Sequence, residues 1–123
     1  MYCCVETINL CINQGATFSK LFTWFGPQFV CGKLQQLPVN ITGYTAVLQI
    51  RPFVLSTQIL YDASSNLTLG GAAGTILLSI PPSSTEGFTW WQGVYDLLLT
   101  SSDGSYSVRL FQGKVTVSPG VSQ

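Results

Sequence analysis

An all-β sandwich of short antiparallel strands is the fold class that this sequence predicts, on three observations. Apolar residues recur at every second position along most of the chain, and the 3.6-residue spacing of a helix is nearly absent. Clusters of Gly, Pro, Asn, Asp and Ser interrupt that alternation at short intervals, as turns do between strands. The length of 123 residues suits one domain, and a chain of that size buries roughly two thirds of its unfolded surface.

The elements follow in order. In Glu6 to Ile12, Ile8, Leu10 and Ile12 share one face and Cys11 lies on the other. Phe18 to Phe25 is aromatic-rich with Ser, Thr and Lys between, a strand composition. Tyr44 to Arg51 places Tyr44, Ala46, Leu48 and Ile50 inward, and Pro52 ends it because proline cannot donate to a ladder. Ile59 to Tyr61 and Leu67 to Leu69 flank a turn over Asp62 to Asn66. Thr75 to Ile80 puts Ile76, Leu78 and Ile80 on one face before Pro81 and Pro82 stop it. Val94 to Thr100 and Ser105 to Phe111 are joined through Asp103-Gly104, a strong hairpin signal. Gly113 is read as a bulge at a sheet edge, ahead of Val115 to Val117. Only Ser83 to Trp90 hints at helix: Ser83, Ser84 or Thr85 can cap one turn, and Gly87 argues against more.

Composition removes several function classes. Charged residues are 8% of the chain, against roughly 25% in ordinary soluble domains. The five cations and five anions cancel and are scattered, so no footprint for nucleic acid or anionic lipid is expected. With no histidine, the commonest general base is missing and with it the usual triads. The acids stand in separate segments, and Asp96 is expected to pair with Arg109 across a hairpin rather than to act in catalysis. No enzyme activity and no cofactor are expected. No run approaches the ~18 apolar residues of a membrane span, and the first residues lack the pattern of a signal peptide, so synthesis in a cytoplasm without export is expected. Asn40-Ile41-Thr42 and Asn66-Leu67-Thr68 match the glycosylation pattern but read as turns, Asn40 to Gly43 as an Asx- or Ser/Thr-type turn closed by a glycine.

Six stretches carry a likeness to a known group. They are Gln14 to Phe18 with Trp24, Leu37 to Ala46, Gln49 to Arg51, Leu69 to Ile76, Val94 to Leu97, and Leu110 to Pro119. In this order, over nearly the whole chain from Ile8, the sequence resembles small immunoglobulin-like structural proteins of tailed bacteriophages, of the baseplate and tail-fibre-attachment type. It departs from that pattern at the Cys-bearing N-terminus and in Gly26 to Gln36, read as an unusually long loop. The resemblance implies an immunoglobulin-like sandwich of about seven to nine strands, with residues 1–7 an N-terminal arm, 8–119 the sandwich and 120–123 a tail. It also implies a virion tail protein, made in the host cytoplasm. Such a protein joins baseplate or tail-fibre subunits in a symmetric hetero-oligomer. A capsid decoration protein and a reader of host glycans are the alternatives.

Two groups of residues are candidates for assembly. Phe88, Trp90 and Trp91 form the densest aromatic cluster; alternation lets one Trp anchor the core while the other faces a partner. Cys3, Cys4, Cys11 and Cys31 all fall in the first quarter of the chain. They can be idle reduced thiols, a metal set of poor spacing, or disulfides. Particles released by lysis enter an oxidising medium, so a disulfide to a neighbouring subunit is among the expectations.

Overall fold

The structure, a computed structural model, describes residues 6–30 and 32–120. Besides two 3-10 turns at Ser64–Asn66 and Gly71–Ala73, eleven strands and one α-helical turn follow in chain order among the described residues. They are β1 (Glu6–Thr7), β2 (Leu10–Asn13), β3 (Phe18–Thr23), β4 (Phe25–Val30), β5 (Lys33–Pro38), β6 (Thr45–Arg51), β7 (Tyr61–Asp62), β8 (Leu67–Leu69), β9 (Thr75–Ile80), α1 (Pro82–Thr85), β10 (Gln92–Thr100) and β11 (Ser107–Ser118).

The larger sheet has the order β1-β11-β10-β6-β7, with β2 also on β11; the smaller has the order β3-β9-β8. Hairpin β4–β5 stands as a two-stranded sheet of its own. Pairing is antiparallel except where β1 and β2 run parallel to β11. That exception follows from connectivity: the first and last strands meet across the whole domain, with no hairpin to reverse them.

The two sheets share one core. Phe22 of β3 stacks on Phe111 of β11 at 5.1 Å and on Tyr95 of β10 at 6.4 Å, bridging the layers. Ile12, Leu48, Ile50, Ile76, Leu78, Ile80, Leu97, Leu99 and Val115 are completely buried in the same cluster. Each such side chain contributes about 1.5–3 kcal/mol relative to an exposed one. The alternation in the sequence is this inward set.

Four details differ from the sequence reading. Gly26 to Gln36 is a hairpin in regular register, from Phe25 opposite Pro38 to Val30 opposite Lys33, and not a long loop. With two-residue β1 and β7, it raises the strand number above that expected. The bulge lies at Leu110, because Leu97 faces Phe111 while Leu98 faces Arg109; Gly113 pairs regularly with Tyr95. Nor is β11 a sheet edge there. A side chain at 113 would collide with the Ile8 carbonyl, which accepts a hydrogen bond from the Tyr95 hydroxyl at 2.7 Å. Glycine serves close backbone approach at that point. Finally, none of Ser83, Ser84 or Thr85 caps α1, whose N-cap is Pro81. Thr85 is fully buried instead, its hydroxyl donating to the Ala16 carbonyl at 2.8 Å and accepting the Gly15 amide at 3.1 Å.

Candidate docking surface

Proline at position 52 stops β6, and Pro52 to Leu60 then holds no charged residue before β7 returns. The backbone of this loop is closed by its own hydrogen bonds. Arg51 donates from Nη1 to the Ser56 carbonyl and from Nη2 to Gln49 Oε1, both at 2.8 Å. The Ser56 amide bonds the Phe53 carbonyl at 3.0 Å, Ser56 Oγ accepts the Gln58 amide at 3.1 Å, and the Leu60 amide reaches the Ile50 carbonyl at 2.7 Å. Ser56 is buried and turns its polar groups inward, while Thr57 and Gln58 face solvent. The apolar ones turn out: Phe53, Val54 and Leu55 are 61%, 79% and 89% exposed, and Ile59 43%. Single exposed apolar residues are ordinary, whereas a run of three on a tied loop is a candidate contact surface.

The tip continues onto the outer face of the larger sheet. Val54 there borders a recess of about 470 Å³, lined also by Gln49 and Arg51 of β6, Val94 and Asp96 of β10, and Arg109 and Gln112 of β11. Register explains the grouping: Asp96 lies directly between Gln49 and Gln112. The expected ion pair forms, with Arg109 Nε 3.4 Å from Asp96 Oδ2 and both side chains about half exposed. Such a pair stabilises by about 1 kcal/mol or less. On the same face Val47 sits opposite Leu98, both exposed. The surface thus joins an apolar tip to a recess lined mainly by polar and charged side chains.

The aromatic cluster divides between interior and surface. Phe88 is buried, with ring centroids 5.0 Å from both Tyr61 and Trp90, so it is core and leaves no surface for a partner. Trp90 is half-buried and its indole N–H is buried without a hydrogen-bond acceptor among the described residues. Trp91 is 55% exposed. It leads into β10, whose Val94 pairs with Arg51, so Trp91 and the Phe53–Leu55 tip occupy the same end of the sheet. Of the cysteines, Cys11 is a free, exposed thiol. Cys3, Cys4 and Cys31 lie outside the described residues. No disulfide is found among the described residues.

Electrostatics points to turns rather than to chemistry. Three hydrogen-bond donors hold the Asp103 carboxyl down at about 2: the Ser105 amide first, then the Ser101 and Ser105 hydroxyls. Asp62 is also lowered, chiefly by its side-chain hydrogen bond with Ser64 and by the Ser64 amide. Both are exposed carboxylates, Asp103 in a turn and Asp62 at the end of β7. Among the described residues, no three His, Cys, Asp or Glu side chains gather as a metal site would require, and no helix is long and apolar enough to cross a membrane.

The sequence reading singled out the tryptophans and missed the tip. A signal for it was present: Pro52-Phe53-Val54-Leu55 is an apolar run that neither alternates nor follows helical spacing. Comparison with protein-family models gives no match, and the search of curated proteins gives none either.

Proposed function

We propose that this protein is a non-enzymatic docking domain, an immunoglobulin-like structural part of a tailed-phage virion that joins baseplate or tail-fibre subunits at the tail end. The observation that carries the docking reading is the tied loop presenting Phe53, Val54 and Leu55 beside a shallow recess. Such a tip is desolvated at low entropic cost, because the loop is already ordered by Arg51 and Ser56. Strand order supports the immunoglobulin-like part: β1/β2, β11, β10, β6 and β7 correspond to A, G, F, C and C′, and β3, β9 and β8 to B, E and D. In this scheme β4–β5 is a hairpin inserted between B and C. The virion part rests on the sequence resemblance.

Quantitative mass spectrometry of purified particles tests it. A tail-end adaptor is present at roughly ten copies per particle and a capsid decoration protein at hundreds, whereas absence from particles sinks both. Particles carrying Phe53→Ser, Val54→Ser and Leu55→Ser together should lose the subunit while keeping their capsids. Binding of the isolated domain to host cells or sugars would instead favour a glycan reader. A covalent tether through Cys3, Cys4, Cys11 or Cys31 belongs to the same proposal. It predicts a band heavier than the monomer on non-reducing electrophoresis of particles, collapsing with reductant.

A further inference from the structure

A second surface is unrelated to the loop tip. β3 pairs with β9 along one edge, and among the described residues no strand covers the other. β11 is covered by β1 from Phe111 and by β2 from Val115, which leaves Ser107–Leu110 unpaired on that side. Between these two open edges runs a groove of about 620 Å³. Ile8, Phe22, Leu110 and Phe111 supply apolar wall; Lys20 and Arg109 supply charge; no described residue lining it is a carboxylate. Arg109 is already paired with Asp96, whereas Lys20 has no ion pair among the described residues. Lys20 shares the inward side of β3 with Phe18 and Phe22, and is half-buried there.

We infer that this groove accepts an extended segment of a partner protein, added as a strand to the edge of β3, apolar at alternate positions and carrying a carboxylate opposite Lys20. Each property answers an observation. Two strand edges left uncovered among the described residues select an extended backbone. The apolar walls select alternate apolar side chains. A half-buried lysine with no ion pair among the described residues penalises an apolar or basic strand and rewards an acidic one, so Lys20 serves both as a guard against indiscriminate pairing and as the specificity element.

The test uses the full-length chain, 15N-labelled, and two synthetic nonapeptides that alternate valine with threonine, one bearing a central glutamate and the other a lysine there. The glutamate peptide should shift the amides of residues 18–23 and 107–110 and slow exchange of the β3 amides not bonded to β9. The lysine peptide should bind about tenfold more weakly or worse. Lys20→Glu should reverse that preference, and its unchanged spectrum outside β3 would show that the variant folds. Equal binding of both peptides, no shift in β3, or shifts confined to β7 or β8 would overturn the inference. So would binding seen only after residues 1–5 are deleted, since the chain's own leader would then be the occupant. None of these outcomes depends on the Phe53–Leu55 tip, so the docking reading stands or falls separately.

Discussion

The two ends of the sandwich are finished in opposite ways. At the end reached by the start of β6 and the end of β10, the loops close on one another. The Asn40 side chain accepts the Thr42 amide at 3.0 Å, the Ile41 amide bonds the Gly71 carbonyl at 3.0 Å, and the Trp24 amide bonds the Gly74 carbonyl at 2.9 Å. Ile41 there is buried and Trp24 meets Tyr44 edge-on at 6.4 Å, while Phe25 and Tyr106 stay about half exposed. At the other end, the Pro52–Leu60 loop ties Ser56 inward and puts Phe53, Val54 and Leu55 into solvent. A loop with apolar residues inside is completed by its own chain. One with apolar residues outside gains from completion by another molecule.

The largest expected effect lies at the closed end. Gly74 has φ of +67°, and a Cβ there would stand 2.7 Å from the Val39 carbonyl oxygen and 3.0 Å from that of Trp24. Backbone cannot move aside as a side chain can. Gly74→Ala should therefore destabilise by about 3 kcal/mol, combining left-handed strain with overpacking, as read by urea unfolding. A loss below about 0.5 kcal/mol, the range of ordinary surface changes, would mean that this end is looser than its hydrogen bonds imply.

Next comes Thr85→Val, which sharpens the comparison by touching the open end without touching the tip. The substitution keeps the shape but strands the Gly15 amide and the Ala16 carbonyl that the buried hydroxyl serves. About 2 kcal/mol should be lost in the same experiment. The cost would show that α1 and the β2–β3 turn are structural, leaving the neighbouring apolar loop as the part reserved for contact. Phe53→Ser, Val54→Ser and Leu55→Ser together should change stability by no more than about 0.5 kcal/mol, because those side chains are already in water. A large loss of stability from that triple change would break the comparison outright.

How much of this could be read beforehand depended on whether the residue pattern and the packing carried the same information. Ile76, Leu78 and Ile80 alternate in sequence and are all fully buried, so period two was enough. Asp96 and Arg109 could be paired because one hairpin register brings them together. Asn40 to Gly43 was legible because its turn is made by local groups: Oδ1 of Asn40 and a glycine at φ +83°. By contrast Gly113 looked like a bulge because only the distant Ile8 carbonyl explains it. Hairpin β4–β5 was hidden by glycines and a proline that suggest a loop. The tip was overlooked because exposure of Phe53 to Leu55 is a tertiary fact: the same run would read equally well as core. Phe88 and Trp91 are three residues apart, yet one is buried and the other exposed.

The smallest effect is an acid titration at the closed end. Asp103 accepts hydrogen bonds from the Ser101 hydroxyl at 2.7 Å, the Ser105 amide at 3.0 Å and the Ser105 hydroxyl at 2.8 Å. These bonds favour the ionised form and hold its pKa at about 2, below the ordinary 3.8. The unfolded chain therefore takes up the proton first as the pH falls. The stabilisation is complete above the ordinary value and is lost as the pH drops through about 2. Carboxyl NMR should show Asp103 titrating with that midpoint, accompanied by loosening of the Ser101–Tyr106 turn, and Asp103→Asn should abolish the response. Pro52 to Leu60 contains no titratable side chain, so the tip should be indifferent over the same range. If acid instead disturbed the tip while the Asp103 turn stayed unchanged, the two ends would not be independent, and the division between a self-completed end and a partner-completed one would fail.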